Sequence, residues 1–470
     1  MSNPAQSQTP YLDALKAHLA AEVRSFHMPG HQGGRGAPAR LLELLGPEVW
    51  RADLTQVHGL DDIHRPDGPC GQAQRLAAEA YGADFTYFLV NGSSSGNQIM
   101  AMAALHRGQS VLVARNAHRS TVAGILLAGA EPVYYQGPYD PAMQVWEPPQ
   151  VEHLEAAWRP DLTALWLTNP SYYGASGPIE RLVEWAHRRD LICLVDEAWG
   201  AHLHFHPDLP SSAVTAGADL VVQSVHKTLG GLSQAAQLHV RQGRVDQARL
   251  ENWVRWLSST SPFCPLLASI DAVRHQMVSQ GRELLTQVIE LATQTRRRLA
   301  QLERVTVFSA RSGGDPTRVV ARVAGYTGRE LEAALYSRQI QVEMSDAHQV
   351  VLLFSPGHQA QDVDHLVEAF AQLPLREAPP RPLRNWPPVP EQACSPRQAL
   401  ERPSEAVPLQ QAVGRIGVEL VTPYPPGIPV LYPGEVISAE AVAYLKFEQA
   451  SGVDIEGAFD STLKTLRVIT

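Results

Sequence analysis

Two residues, a lysine and an aspartate, each close an apolar run and are the best placed in this chain to do chemistry. Lys227 lies in Val221-Val-Gln-Ser-Val-His-Lys-Thr-Leu-Gly-Gly231, where a β-branched strand meets Ser224 and His226 and then a Thr-Leu-Gly-Gly turn. That arrangement presents a primary amine at a strand end, where an aldehyde can be held as a Schiff base. Upstream, Leu191-Ile-Cys-Leu-Val-Asp-Glu-Ala198 is an apolar strand ending in the carboxylate of Asp196. Pyridoxal phosphate needs both groups: a lysine for its aldehyde and an acid that keeps its pyridine nitrogen protonated. Lysine alone is a common surface residue. Its pairing with Asp196 is what marks Lys227.

The rest of a cofactor site is sketched around this pair. Asn91-Gly-Ser-Ser-Ser-Gly-Asn97 follows a strand and opens a helix expected over 98–105. Small residues let the backbone approach an anion, Ser94 and Ser95 offer hydroxyls, and the helix N-terminus favours negative charge. Ser224 and His226 flank the lysine and can donate to the same phosphate. His118, in Arg115-Asn-Ala-His-Arg-Ser120, follows another strand, where its ring can stack on a pyridine. Ala198 is small enough to pack on the opposite ring face.

The elements that must position these residues alternate. Strands are expected over 86–90, 110–113, 132–135, 164–167, 191–195, 220–223 and 237–240, with helices such as 177–189 between most of them. Such alternation predicts an α/β fold with a largely parallel sheet covered by helices, and ligands at the carboxyl ends of the strands. An amphipathic helix over 11–24 precedes a Gly/Pro/His-rich loop, so residues 1–50 are expected as an N-terminal arm and 51–305 as a large cofactor domain. A long polar-faced helix over 280–303 leads into a small α+β domain, 306–378, with strands near 317–323 and 350–354. The proline-rich stretch Pro379–Pro390 reads as a semi-rigid linker to a C-terminal domain, 391–470.

Bulk properties narrow the classes. A chain of 470 residues can bury more than one core. Its net charge of −9 argues against a nucleic-acid surface, and no Lys/Arg run suggests one. No signal-peptide pattern and no apolar run of about 18 residues is present, so no membrane partner is expected and the protein reads as cytoplasmic. The four cysteines are scattered, with Cys193 expected as a small core residue. His202-Leu-His-Phe-His206 would align histidines on one face of a strand, but it has no acid or cysteine at ligand spacing, and no metal is expected. HExxH and Walker A sequences are absent. Thr55–Asp67 gathers three aspartates and two histidines in a loop suited to a cationic substrate.

Taken together, the stretches FHMPGHQGG, GLDDIHRPDG, VNGSSSGN, ARNAHRS, TNPSYYG, LVDEAWGAHLHFHPDLP, QSVHKTLGGLSQ, SSTSP, YPPGIPVLYPGE and DSTLKTLRVI resemble the Orn/Lys/Arg decarboxylases in their shorter form. They run from residue 26 to the C-terminus and are most similar to biosynthetic arginine decarboxylases of Gram-positive bacteria. The resemblance implies an aminotransferase-like fold type I large domain, a small domain and an extra C-terminal domain. It implies that Lys227 forms the Schiff base, Asp196 pairs with the pyridinium, His118 stacks on the ring, and Ser94, Ser95, Ser224 and His226 hold the phosphate. It also implies a homodimer or larger homo-oligomer with the active site at the interface, where Ser259 reaches a partner's phosphate.

Some positions depart from that pattern. Gln32 and Arg119 stand where lysine is common, Trp199 where histidine is frequent, and Phe263-Cys264-Pro265 where Ser-Tyr-Leu is more usual. The last two sites can reshape the pocket. The expected reaction is decarboxylation of a basic amino acid, arginine first, then lysine or ornithine. Its distal cation calls for a carboxylate among Asp61, Asp62, Glu343, Asp346 and Glu435. Within the same cofactor chemistry, transamination or β-elimination stays open, because Arg318 and Arg322 lie where an aminotransferase would clamp the α-carboxylate. A non-catalytic pyridoxal-phosphate-binding protein is the alternative from another class.

Overall fold

The structure, a computed structural model, describes residues 4–308, 314–376, 385–424 and 427–470. The chain folds as two compact units: Met1–Ala104 with Ile192–Leu285, and Leu105–Leu191 with Thr286–Thr470.

In the first unit Ile192–Asp196 runs parallel to Leu220–Ser224, and Ala236–Val240 lies antiparallel to both Leu220–Ser224 and Phe85–Leu89. Leu220–Ser224 and Ala236–Val240 are buried at every position, as expected of strands covered on both faces. The helix Gly92–Ala104 packs tightly against this sheet: a Cβ on Gly96 would meet the Val222 side chain at 2.3 Å and Leu89 at 2.9 Å. Pro69–Tyr81 is set by a proline in its first turn and ends on the left-handed Gly82. Pro10–Ala20 lies at the N-terminal end of this unit, within the helix expected there. It is anchored where the Tyr11 N–H donates to Asp271 Oδ2 at 2.9 Å.

In the second unit Ser110–Ala114 pairs in parallel with Glu131–Tyr135 and Leu162–Thr168. The helices Arg119–Ala128 and Ile179–His187 belong to the same alternation. A four-stranded antiparallel sheet follows, ordered Val305–Phe308, Arg318–Val323, Val350–Leu353, Met344–Ser345. With Gly328–Tyr336 and Ala360–Ala371 it closes a core that includes Val319, Leu331, Val350 and Phe370. A separate core, around Val421, Leu431, Leu445 and Val468, serves the ribbon Ser404–Pro408/Thr465–Ile469 and the helix Ala439–Ala450.

Three local expectations change. The long helix begins at Cys264, not near 280, and runs 36 residues to Leu299. Pro265 sits at its second residue, where the missing N–H costs nothing and the fixed φ favours helix. His202–His206 is no strand: Leu203–Phe205 forms a 3-10 turn, so the alternation that would align the histidines on one strand face is absent there. The serines of Asn91–Asn97 lie inside the first turn of Gly92–Ala104, not in a loop ahead of it. The linker expected over Pro379–Pro390 lies partly outside the described residues.

Candidate active site

Asp196 ends its strand 3 % exposed. Its Oδ2 accepts from Asn97 Nδ2 at 2.8 Å and its Oδ1 from the Ala198 N–H at 3.1 Å. Among the described residues no lysine, arginine or histidine pairs with it. A buried carboxylate held by two neutral donors still lacks a positive partner, and a pyridinium N–H supplies one. Asn97 was not singled out from the sequence. The signal was its place one helical turn beyond Ser93 and Ser94, which shows only once the helix is known to start at Gly92.

The adjacent strand Leu220–Ser224 delivers the lysine through the single turn Val225–Thr228. Lys227 Nζ lies over the face of Trp199, 4.4 Å from the ring centroid. Ser224 Oγ and Thr228 Oγ1 are buried with no hydrogen-bond partner. Such hydroxyls are costly unless a ligand satisfies them. His226 Nδ1 sits 2.9 Å from the Ala235 carbonyl, which can only accept, so this nitrogen carries the proton. Burial lowers the His226 pKa and the Lys227 charge adds to this, against the opposing bond to the Ala235 carbonyl.

The expected residues are not all gathered at one place. Asp196, Ala198, Ser224, His226 and Lys227 cluster in the first unit on two neighbouring strand ends. Ser94 and Ser95 belong to the same unit: Ser94 is exposed, while Ser95 is buried and donates to Gly92 O at 2.8 Å. Ser259 is exposed after the helix Gln247–Leu257, where its carbonyl faces His64 Nε2 and its Oγ accepts from the Ser261 N–H. His118 lies in the second unit and caps Arg119–Ala128, accepting from the Ser120 N–H.

Four of the acids considered for the substrate's distal cation are already committed. Glu435 is fully buried and forms a bidentate pair with Arg115, at 2.5 and 2.9 Å. The Arg115 guanidinium also stacks on Tyr432, 4.0 Å from the ring centroid, and on Tyr134 at 5.0 Å. Asp61 Oδ2 accepts from the Gly68, Cys70 and Gly71 N–H groups at the start of Pro69–Tyr81, and Asp62 accepts from the His64 N–H. A carboxylate in a Pro/Gly-rich turn looks solvated in sequence, but here the turn folds inward. Asp346 accepts from the Tyr173 hydroxyl at 2.8 Å and from Gln349 Nε2 at 2.9 Å. Glu343 is exposed.

The arginines that would favour transamination are also engaged. Arg322 donates to Gln349 Oε1 and to the carbonyls of Ala142 and Met143. Arg318 is 3 % exposed, 3.4 Å from Asp315, and a Cβ on Gly174 would meet its Cγ at 2.7 Å. Phe263-Cys264-Pro265 shapes packing under the N-terminal helix: buried Cys264 accepts from the Tyr11 hydroxyl at 3.2 Å. Cys193 is a fully buried free thiol.

Behind Asp196 runs a second buried polar chain. Glu197 accepts from the Ala213 N–H and from Gln223 Nε2, each at 2.6 Å. Gln223 Oε1 faces His239 Nε2, and His239 Nδ1 faces the Thr86 hydroxyl. Burial pushes Glu197 up to about 8 and His239 down to about 3.

Comparison with known proteins matches this architecture to one family along the chain. The Orn/Lys/Arg decarboxylase major domain matches residues 9–314 and the Orn/Lys/Arg decarboxylase C-terminal domain residues 384–463. The chain is 37 % identical to the arginine decarboxylase of Bacillus subtilis, over 99 % of this chain and 98 % of that one. The arginine decarboxylase of Halalkalibacterium halodurans is likewise 37 % identical over 99 % and 98 %. Among solved structures, lysine decarboxylase A of Pseudomonas aeruginosa superposes with a TM-score of 0.85 at 24 % identity, covering 99 % of this chain and 81 % of that chain. The Escherichia coli constitutive lysine decarboxylase gives 0.82 at 21 %, covering 99 % and 82 %. These two likenesses carry the fold, a mostly parallel α/β sheet with an added C-terminal domain. The sequence matches carry the kinship: this chain is an amino-acid decarboxylase of the Orn/Lys/Arg decarboxylase family.

Proposed function

We propose that the protein decarboxylates arginine to agmatine and CO2 with pyridoxal phosphate as cofactor. The observation that carries the cofactor is the buried Asp196 carboxylate, short of a cation, beside a lysine-bearing strand end. Preference for arginine over lysine or ornithine rests on the relatives that bear that name and match the whole chain.

When bound, the cofactor supplies an aldehyde for an amine and a protonated ring that accepts the electron pair of a departing carboxylate. Lys227 would hold the aldehyde until the substrate amine displaces it. Asp196, fixed by Asn97, would keep the ring nitrogen protonated. Ser94, Ser95, Ser224 and His226 would bind the phosphate, with Nε2 of His226 taking up a proton to donate. His118 and Ala198 would sandwich the ring. Lys227, freed as an ammonium, would return a proton to the substrate Cα.

Transamination is disfavoured by the engagement of Arg322, and a binding-only role by the intact Lys227 and Asp196 pair. We place the protein in the cytoplasm as a homo-oligomer whose Ser259 serves the partner's phosphate. The exposed apolar side chains of Phe26, Leu44 and Trp256 support such an interface, at 101 %, 77 % and 68 % exposed. The limits 51–305, 306–378 and 391–470 for cofactor, small and C-terminal domains are part of the same proposal, with the two separate cores of the second unit in support.

The test is to load the protein with pyridoxal phosphate and offer arginine, lysine and ornithine separately, measuring CO2 and amine. Agmatine with equimolar CO2 is the expected result. A keto acid in place of CO2 would move the reading to transamination, and a diamine would reassign the substrate.

A further inference from the structure

We infer that Trp199 is a positioning residue for Lys227: its indole face holds the ammonium so that the proton goes to the substrate Cα and not elsewhere. The chemistry rests on the decarboxylase reading, whereas the contact stands on geometry alone. Lys227 Nζ lies over the Trp199 ring, 4.4 Å from its centroid. That ring is only 7 % exposed. It sits in a turn with no slack: the Gly200 N–H bonds to the Glu197 carbonyl, and a Cβ on Gly200 would fall 2.3 Å from Glu197 Cγ. The lysine backbone is fixed from the other side, in the single turn that follows a fully buried strand. Indole is the strongest aromatic partner for an ammonium, and the attraction grows when both are withdrawn from water.

Proton placement gives the contact a consequence. When the Cα–carboxylate bond breaks, CO2 leaves and its electron pair stays on Cα, shared with the cofactor ring. A proton from the Lys227 ammonium to Cα uses that pair and gives the amine, leaving Lys227 neutral to recapture the aldehyde. A proton delivered instead to the cofactor's aldehyde carbon, followed by hydrolysis with one water, gives an aldehyde and the aminated cofactor. That enzyme molecule is then inactive until fresh cofactor is added. An ammonium held over Trp199 has one fixed direction of approach, and a loose one reaches both carbons.

The chain has four lysines, Lys16, Lys227, Lys446 and Lys464, which makes the contact directly observable. The full chain without cofactor is reductively methylated with 13C-formaldehyde, and the Lys227 signal is assigned with Lys227→Ala. The indole ring current is expected to shift the Lys227 methyl signal upfield of the other three, and Trp199→Leu to return it among them. In the cofactor-loaded enzyme, the fraction of turnovers ending in aldehyde and aminated cofactor should rise about tenfold or more in Trp199→Leu, and less in Trp199→Phe, which keeps an aromatic face. Cofactor content should stay unchanged in both. An unshifted Lys227 signal in the unsubstituted chain, or an unchanged abortive fraction in both variants, would overturn the inference. No CO2 from any basic amino acid would overturn the decarboxylase reading and the proton-placement role together, while the methyl signal still reads the contact.

Discussion

Asp196 and Ser224 each hold a buried group that is incomplete without a ligand, and each can be removed singly. Asp196→Asn keeps the shape and the bond to Asn97 but loses the charge. Removing one member of a buried ion pair costs about 3–5 kcal/mol, so kcat is expected to fall by roughly two to three orders of magnitude with the fold intact. Ser224→Ala removes the hydroxyl proposed to donate to the phosphate, and cofactor affinity measured by titration of the cofactor-free chain should weaken about tenfold to a hundredfold. The strand-end placement of Lys227 and Asp196 was legible in the sequence because each follows an apolar run. Asn97 was hidden because its helix begins within what reads as a glycine-serine loop. Glu435 was misjudged for the opposite reason, since nothing local announces that its turn folds onto Arg115.

The C-terminal region grips the turn that carries His118 at both ends. Arg115, 2 % exposed, is held by Glu435 and stacked on Tyr432, whose hydroxyl donates to the Arg115 carbonyl at 2.9 Å. On the far side, exposed Arg119 meets Glu456 at 2.6 Å. The two pairs should differ sharply in worth. Glu435→Ala leaves a buried guanidinium uncompensated and is expected to cost about 3–5 kcal/mol in urea unfolding, whereas Glu456→Ala, at a solvated pair, should cost about 1 kcal/mol or less. Equal costs for the two variants would contradict the clamp. The strands and most helices were legible from their periodicity. The start of the long helix at Cys264 was not, because its first turns are apolar on most faces and offer no amphipathic stripe to read.

The whole molecule carries a pH dependence of its own through Glu197. Two donors face its carboxylate, yet burial outweighs them and raises it from 4.5 to about 8. Between those values the folded chain binds a proton that the unfolded chain has released. While His239, lowered to about 3, contributes the opposite slope only below its ordinary value of 6.5, the Glu197 contribution to stability therefore falls as pH rises across that window and levels off above it. Unfolding free energies at pH values spaced across the window should show this slope, and Glu197→Gln should flatten it; an identical slope in that variant would assign it to other groups. No described helix is long and apolar enough to cross a membrane. The measurement that bears most directly on the central claim is to reduce the cofactor-loaded protein with borohydride and map the attached cofactor by peptide mass spectrometry. The account predicts the cofactor mass on the peptide containing Lys227, and on none containing Lys16, Lys446 or Lys464. Attachment at another lysine, or at none, would contradict it.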